Sequence, residues 1–328
     1  MSNPFNRRQL LALGAGAALL AQSGGNAQAG GAYPDRPIRF ILPFSAGGGT
    51  DADTRILAEE LQKVLKTPVL CDNRPGASGA IATQAVLNAP ADGYTFLIAT
   101  NSLVSVNPIT MKNLSYDPFK DLTPVHGVIV TAAVISAPAN SPYGSIKDAL
   151  LKARASGHPL RIGNYSQGYE LLAGWLGYLE NAPIIHVPYK GPSNMLLDLV
   201  GGRLDLGISD PSSAQELIKS GKLKGMAISA GEREPIMPDL PTMKEQGYPD
   251  FESYVWVSVF AKAGTPPAML KTIADAIAVA NHSPAMQERH AGKPGQALDL
   301  ALDEMGKFQR KEYERFKKVA QATHYEPK

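Results

Sequence analysis

The sequence is poor in cysteine and in net charge. Its 328 residues include a single cysteine, Cys71, which excludes an intramolecular disulfide framework and any multi-cysteine zinc or iron–sulfur centre. Charged residues make up 19% and the formal net charge is +2, too small a surplus for a nucleic-acid binder. Several catalytic and cofactor signatures are missing: G-x-G-x-x-G, G-x-x-x-x-G-K-[ST], H-E-x-x-H and G-x-S-x-G do not occur. The six histidines are scattered, with His282 and His290 on a polar stretch whose spacing suits neither a metal site nor a triad. The sequence therefore points to no catalytic residue, no metal and no cofactor.

What is present is ordinary globular material. Hydrophobic residues reach 44%, and the length fits about two domains at roughly 100–200 residues each. The 31 glycines and 26 prolines follow no fixed period, so neither collagen nor wholesale disorder fits.

Positions 1–29 read as a targeting segment. Arg7 and Arg8 form a basic head, an apolar run extends from Leu10 to Leu20, and Ala27-Gln28-Ala29 makes an A-x-A cleavage pattern. The run is too short to cross a hydrocarbon core of about 30 Å as a helix. Asn6-Arg7-Arg8-Gln9-Leu10-Leu11 resembles a twin-arginine export signal, although paired basic residues also occur in Sec signals. Removing residues 1–29 takes away two arginines and no acid, so 32 − 2 leaves 30 basic residues against 30 acidic ones. The expectation is an exported, near-neutral periplasmic protein cleaved near Ala29. No cysteine near that point allows a lipid anchor.

From Ile38 onward short apolar runs alternate with amphipathic stretches. Strands are expected at 39–42, 69–70 and 94–98, with helices from Thr50 and over 80–87. After a proline-rich middle the alternation resumes: strands at 160–163, 184–187, 204–208, 225–229 and 255–260, helices at 171–179, 195–199, 214–219 and 300–320. Thr50 and Asp53 have capping-box spacing, and Thr265-Pro266 places proline at a helix start. This α/β alternation predicts parallel, doubly wound sheets. The chain could leave a first α/β unit near Val130 and return to it near Tyr254, leaving a cleft lined from both units.

The run Gly47-Gly48-Gly49-Thr50-Asp51 follows a strand and opens a helix. Free N–H groups and the helix dipole favour an anion there, and glycine lets a ligand approach the backbone. A βα turn that binds nothing is an equal reading of the run alone. His186 lies inside an apolar run and reads as a satisfied core residue. Cys71 reads as a packing residue rather than a reactive thiol. Asp210, before Pro211-Ser212-Ser213, could cap a helix or reach a ligand, with capping the default.

The stretch Tyr33-Pro34-Asp35-Arg36-Pro37-Ile38-Arg39-Phe40-Ile41-Leu42-Pro43-Phe44-Ser45-Ala46-Gly47-Gly48-Gly49-Thr50-Asp51 strongly resembles the opening of the Bug family. These are the periplasmic solute-binding proteins of tripartite tricarboxylate transporters. Asn73-Arg74-Pro75-Gly76-Ala77, Asp92-Gly93-Tyr94-Thr95, Val187-Pro188-Tyr189-Lys190-Gly191 and Ala263-Gly264-Thr265-Pro266 match in order. So do Tyr116-Asp117-Pro118, Gly221-Lys222-Leu223 and Leu240-Pro241-Thr242. Together they span essentially the whole mature chain.

The resemblance implies an α/β, two-domain periplasmic-binding-protein fold of type II-like form, with a ligand cleft between two doubly wound sheets. Residues 30–130 plus 254–328 would form domain 1 and residues 131–253 domain 2. It implies a monomeric receptor, not an enzyme, that closes on a small carboxylate. The cargo would pass to a membrane transporter with one large and one small subunit. One carboxylate would be held, partly through ordered water, by Phe44, Ser45, Ala46, Gly47 and Gly48, with Thr50 and Asp51 opening the helix. Thr100, Asn101 and Ser102 would offer polar contacts near the other end; Ser166, Gly168, the backbone around Tyr189 and Asp210 would face them from the other domain. The loop after Ser166-Gln167-Gly168 is shorter than the family pattern. That suggests a reshaped pocket for an aromatic or atypical acid, walled by Tyr169 or Trp256, with Trp175 in the core. Cys71 stands where the family commonly has an acidic residue. The rival readings are a ligand sensor for a membrane histidine kinase and a secreted hydrolase built on Asp210 and a serine.

Overall fold

The computed structural model describes residues 33–291 and 295–328; the targeting segment expected at 1–29 lies outside them. The first elements are β1 (Ile38–Leu42), α1 (Gly49–Leu65), β2 (Val69–Asn73), α2 (Ala80–Leu87) and β3 (Thr95–Thr100). After a π-helical turn, Ser102–Val106, come α3 (Asn107–Thr110), β4 (Leu122–Ala132) and β5 (Val134–Pro138). The middle continues through α4 (Ile146–Ser156), β6 (Leu160–Asn164), α5 (Gln167–Glu180), β7 (Ile184–Pro188) and α6 (Pro192–Val200). Next are β8 (Leu206–Ser209), α7 (Pro211–Lys219), β9 (Leu223–Ile228) and β10 (Tyr254–Lys262). The chain ends with α8 (Pro267–Asn281), α9 (Pro284–Ala291), β11 (Gln296–Ala297) and α10 (Leu302–Ala322).

These strands form two sheets, in the orders β11-β4-β10-β3-β1-β2 and β7-β6-β8-β5-β9. The expectation of parallel sheets needs correction: both are mixed. In the first, β2, β1 and β3 are parallel, while β10 runs antiparallel to β3 and β4. In the second, β6 is parallel to β7 and β8, but β5 is antiparallel to β8 and β9. The cause lies in the strands that travel between sheets. Only Ala133 separates β4 from β5, so one extended run serves both sheets without a crossover helix. Pairing of that kind is antiparallel.

Ser229 ties the crossing segments together. Its N–H donates to Ala133 O at 2.9 Å and its Oγ accepts from Ala133 N–H at 2.8 Å. The same hydroxyl donates to Ser253 O at 2.5 Å, and Ser253 N–H returns a bond to Ser229 O at 3.0 Å. Three otherwise unpaired backbone stretches are thereby satisfied by one buried serine.

Burial follows the periodicity. On α1, Leu57, Ala58 and Leu61 turn inward, while the central strands β1 and β3 are buried almost throughout. Trp256 is fully buried and stacks edge-on against Phe308 at 5.4 Å. Trp175 packs on Phe251 at 4.5 Å. His186 is not the satisfied core residue expected from its apolar run. It is half-buried on β7, at the edge of its sheet, and its Nδ1 has no partner. Burial lowers its pKa. Two helix starts also differ from expectation. At α8 the proline in the first helical position is Pro267, with Pro266 preceding it as the cap. At α1 the capping box does not form.

Candidate functional site

The start of α1 is built by residues far apart in sequence. Gly48 is its N-cap and supplies no side chain. Thr50 lies inside the first turn, and Asp53 turns away to pair with Arg289 at 2.5 Å. The cap arrives from the other sheet instead: Gly49 N–H donates to Ser213 Oγ, on α7, at 3.3 Å. A second correction concerns the glycine run. Gly47 N–H is already taken, because it donates to Asp51 Oδ2 at 3.1 Å. Asp51 also accepts from Asn73 Nδ2 at 3.0 Å and from the Arg55 guanidinium at 2.9 Å. Burial pushes its carboxyl pKa up, but the bonds from Arg55, Asn73 and Gly47 outweigh this and leave it below the ordinary range. Asp51 is thus the turn's own anion, holding its shape. Among the described residues the N–H groups of Gly48 and Thr50 have no acceptor, as expected for a first helical turn.

Between the two sheets lies a narrow cleft. Among the residues expected to bind, Phe44, Thr50, Asn101, Ser102, Ser166, Gly168 and Asp210 line it. Ser45, Gly48 and Asp51 lie in a small adjoining recess below it. Ala46 and Gly47 sit outside on the exposed turn. Tyr189 does not face the cleft: its hydroxyl donates to Asp198 at 2.8 Å. Its neighbour Lys190 accepts from Ser45 N–H through its carbonyl at 3.3 Å. Tyr169 forms a wall as expected, whereas Trp256 does not.

Asp210 caps a helix and also lies at the cleft. As N-cap of α7 it accepts from Ser213 N–H at 2.9 Å, and its carboxylate borders the cleft. It further accepts from Tyr165 Oη at 2.8 Å and Ser213 Oγ at 2.7 Å. Tyr165, which the sequence reading missed, is therefore central. It packs edge-on against Phe44 at 5.4 Å and Tyr169 at 4.9 Å, and burial raises its pKa well above the usual phenol value. Its position after strand β6 was an available signal, since ligands in α/β sheets gather at the carboxyl ends of strands. Thr131, on β4, was missed as well, whereas Thr100, expected together with Asn101 and Ser102, lines the cleft.

The walls touch across the cleft. Gly168 N–H donates to Ser102 Oγ at 3.1 Å, and Ser193 Oγ to Ala46 O at 3.4 Å. A Cβ on Gly49 would stand 2.2 Å from Asp210 Oδ1, and one on Gly48 2.7 Å from Pro192 Cγ. Close approach at these two positions requires glycine. The chemistry here is that of holding, not of reaction. Among the described residues no group of three or more His, Cys, Asp and Glu could hold a metal. Cys71 lies apart, its thiol pushed up to about 11, chiefly by burial.

Residues 54–324 match the family model of the tripartite tricarboxylate transporter family receptor, TctC. This chain belongs to the TctC family. It is accordingly a substrate-binding receptor and not an enzyme. Protein BugT of Bordetella pertussis is 34% identical over 295 residues, covering 89% of this chain and 90% of BugT. The periplasmic binding protein BugD superposes with a TM-score of 0.85 at 28% identity, covering 90% of this chain and 100% of BugD. An R. palustris protein solved with adipate gives 0.85 at 30% identity, covering 90% and 100%. The two-domain periplasmic-binding fold of such structures is the fold of this TctC-family chain. Among its described residues no helix is long and apolar enough to cross a membrane.

Proposed function

We propose that this receptor works in the periplasm, binds a small carboxylate in the cleft, and delivers it to a membrane transporter of one large and one small subunit. In this reading residues 30–130 with 254–328 form one lobe and residues 131–253 the other. They hinge at the strands tied by Ser229 and shut on the cargo. The acid group sits against the free N–H groups of Gly48 and Thr50, where the α1 dipole supplies about half a positive charge. Phe44 and Tyr165 pack its body, and Asn101, Ser102, Ser166 and Gly168 supply polar contacts, directly or through water. Asp210 fixes the closed geometry over Gly49, and the Asp51 network keeps the turn rigid.

The observation that carries this reading is the α1 terminus. Its Gly49 amide is capped by Ser213 from the opposite wall while the amides of Gly48 and Thr50 beside it stay free, so the site is complete only when both walls meet. The adipate-bound R. palustris relative, 30% identical, supports a carboxylate cargo. The test is calorimetric titration of the mature protein against mono-, di- and tricarboxylates, with uptake measured after deletion of the gene. Saturable binding of an acid and loss of its uptake are expected; a panel without any binding would overturn the proposal.

A further inference from the structure

Glu170 is an acid that the cleft does not use. It sits on α5 beside Gly168 and Tyr169, which line the cleft, but does not line it itself. Its side chain is 8% exposed, and its carboxylate accepts from three donors. They are Gln167 Nε2 at 3.2 Å, Tyr325 Oη at 3.2 Å and Lys328 Nζ at 2.5 Å. Tyr325 and Lys328 belong to the segment after α10, 155 and 158 residues further along the chain. That segment is pinned by its backbone. Tyr325 N–H donates to Ala320 O at 2.8 Å and Lys328 N–H to Thr110 O at 3.0 Å, while Lys328 O accepts from Lys112 N–H at 2.8 Å.

The same two walls meet at three successive places. At the cleft, Gly168 N–H donates to Ser102 Oγ. One turn on, Leu171 is fully buried in a small apolar cluster with Val106 of the π-helical turn and with Phe316 and Ala320 of α10. Beside Leu171, Glu170 takes the bonds from Tyr325 and Lys328. In the two-lobe reading above, α5 belongs to one lobe and everything it meets here to the other. Drawing α5 away would return Leu171 to water, an unfavourable transfer, and would part Glu170 from Lys328. The ion pair is lopsided, with the Lys328 side chain 62% exposed, so its attraction is moderate and weakens in salt. We propose, resting on that two-lobe reading, that Tyr325–Lys328 is a strap whose grip on Glu170 biases the receptor toward its closed form. Glu170, Tyr325 and Lys328 are then positioning residues: they touch no cargo, but hold Ser166 and Gly168 against the opposite wall. A larger closed fraction raises apparent cargo affinity in proportion.

The experiment is small-angle X-ray scattering of the cargo-free mature protein, as parent, Lys328→Met and Lys328→Arg, between about 0.02 and 0.5 M NaCl. At low salt Lys328→Met should have a larger radius of gyration than the parent, and Lys328→Arg should match the parent. Raising the salt should expand the parent toward Lys328→Met and leave that variant unchanged. The Lys328 side chain is mostly exposed, so the urea midpoint of Lys328→Met should stay close to the parental one, which separates opening from unfolding. Equal radii for parent and Lys328→Met at low salt overturn the strap, as does a Lys328→Arg variant that opens as far as Lys328→Met. Expansion accompanied by a clearly lowered urea midpoint would assign Lys328 to stability alone and overturn it too. None of these outcomes depends on the cargo. A carboxylate panel without binding would overturn the receptor's cargo and leave the scattering result standing.

Discussion

Gly47 and Asp51 are joined by a single bond, the Gly47 N–H reaching the Asp51 carboxylate at 3.1 Å. The turn that looks, in sequence, like an empty cradle for a foreign anion thus carries one of its own. In the proposed reading an incoming acid meets the amides of Gly48 and Thr50 instead, one step further into the helix.

That carboxylate should be visible in acid. Asp51 has a folded pKa below its unfolded one, burial being outweighed by bonds from Arg55, Asn73 and Gly47. Its stabilisation is therefore complete above about pH 4 and is lost as the pH falls through the folded value. Asp51→Asn should cost about 1–2 kcal/mol at pH 7 and progressively less below pH 4. Urea unfolding of both proteins from pH 7 to pH 3 measures the gap; a gap that stays constant would refute the assignment.

Gly49→Ala separates closure from folding. Alanine is the better helix former by up to about 1 kcal/mol, so the lone lobe has no reason to unfold. The added Cβ, however, would stand 2.2 Å from Asp210 Oδ1. Cargo affinity should fall at least tenfold, and X-ray scattering with cargo present should show a larger radius of gyration than the parent. Parental affinity would mean that the cleft does not need this contact.

Asp210→Ala leaves Tyr165 Oη, Ser213 N–H and Ser213 Oγ without their acceptor. Loss of a helix cap together with buried hydrogen bonds should cost about 2 kcal/mol, and Asp210→Asn should recover part of it. Denaturation midpoints decide this. If Asp210→Ala instead keeps its stability and reorders the ranking of acids, the side chain reads cargo directly.

Arg289 and Asp53 form a pair whose side chains are 13% and 6% exposed. Arg289→Ala takes a charged hydrogen bond from a nearly buried carboxylate and should lose about 2 kcal/mol. A loss below about 1 kcal/mol, the range of surface pairs, would show that water reaches Asp53 in solution.

Most of the element order was legible because burial imposes periodicity. The helices over 80–87 and 214–219 and the strand at 160–163 fall inside α2, α7 and β6. The capping box was not legible. Thr50 and Asp53 have the right spacing, but Ser213 reaches Gly49 from 164 residues away and Arg289 claims Asp53 from 236 residues away. At Tyr189 the segment matches the family and the ring donates to Asp198, while the approach to the opposite wall is made by the backbone, Lys190 O accepting from Ser45 N–H.

By itself the sequence determined the α/β class, the glycine turn and the receptor family, since hydrophobic period, turn chemistry and ordered motifs are properties of neighbouring residues. Only the tertiary structure decided which amides stay free, which carboxylates border the cleft and why the sheets are mixed. Those depend on groups brought together across long chain separations, where a single competing hydrogen bond or an added Cβ changes the outcome.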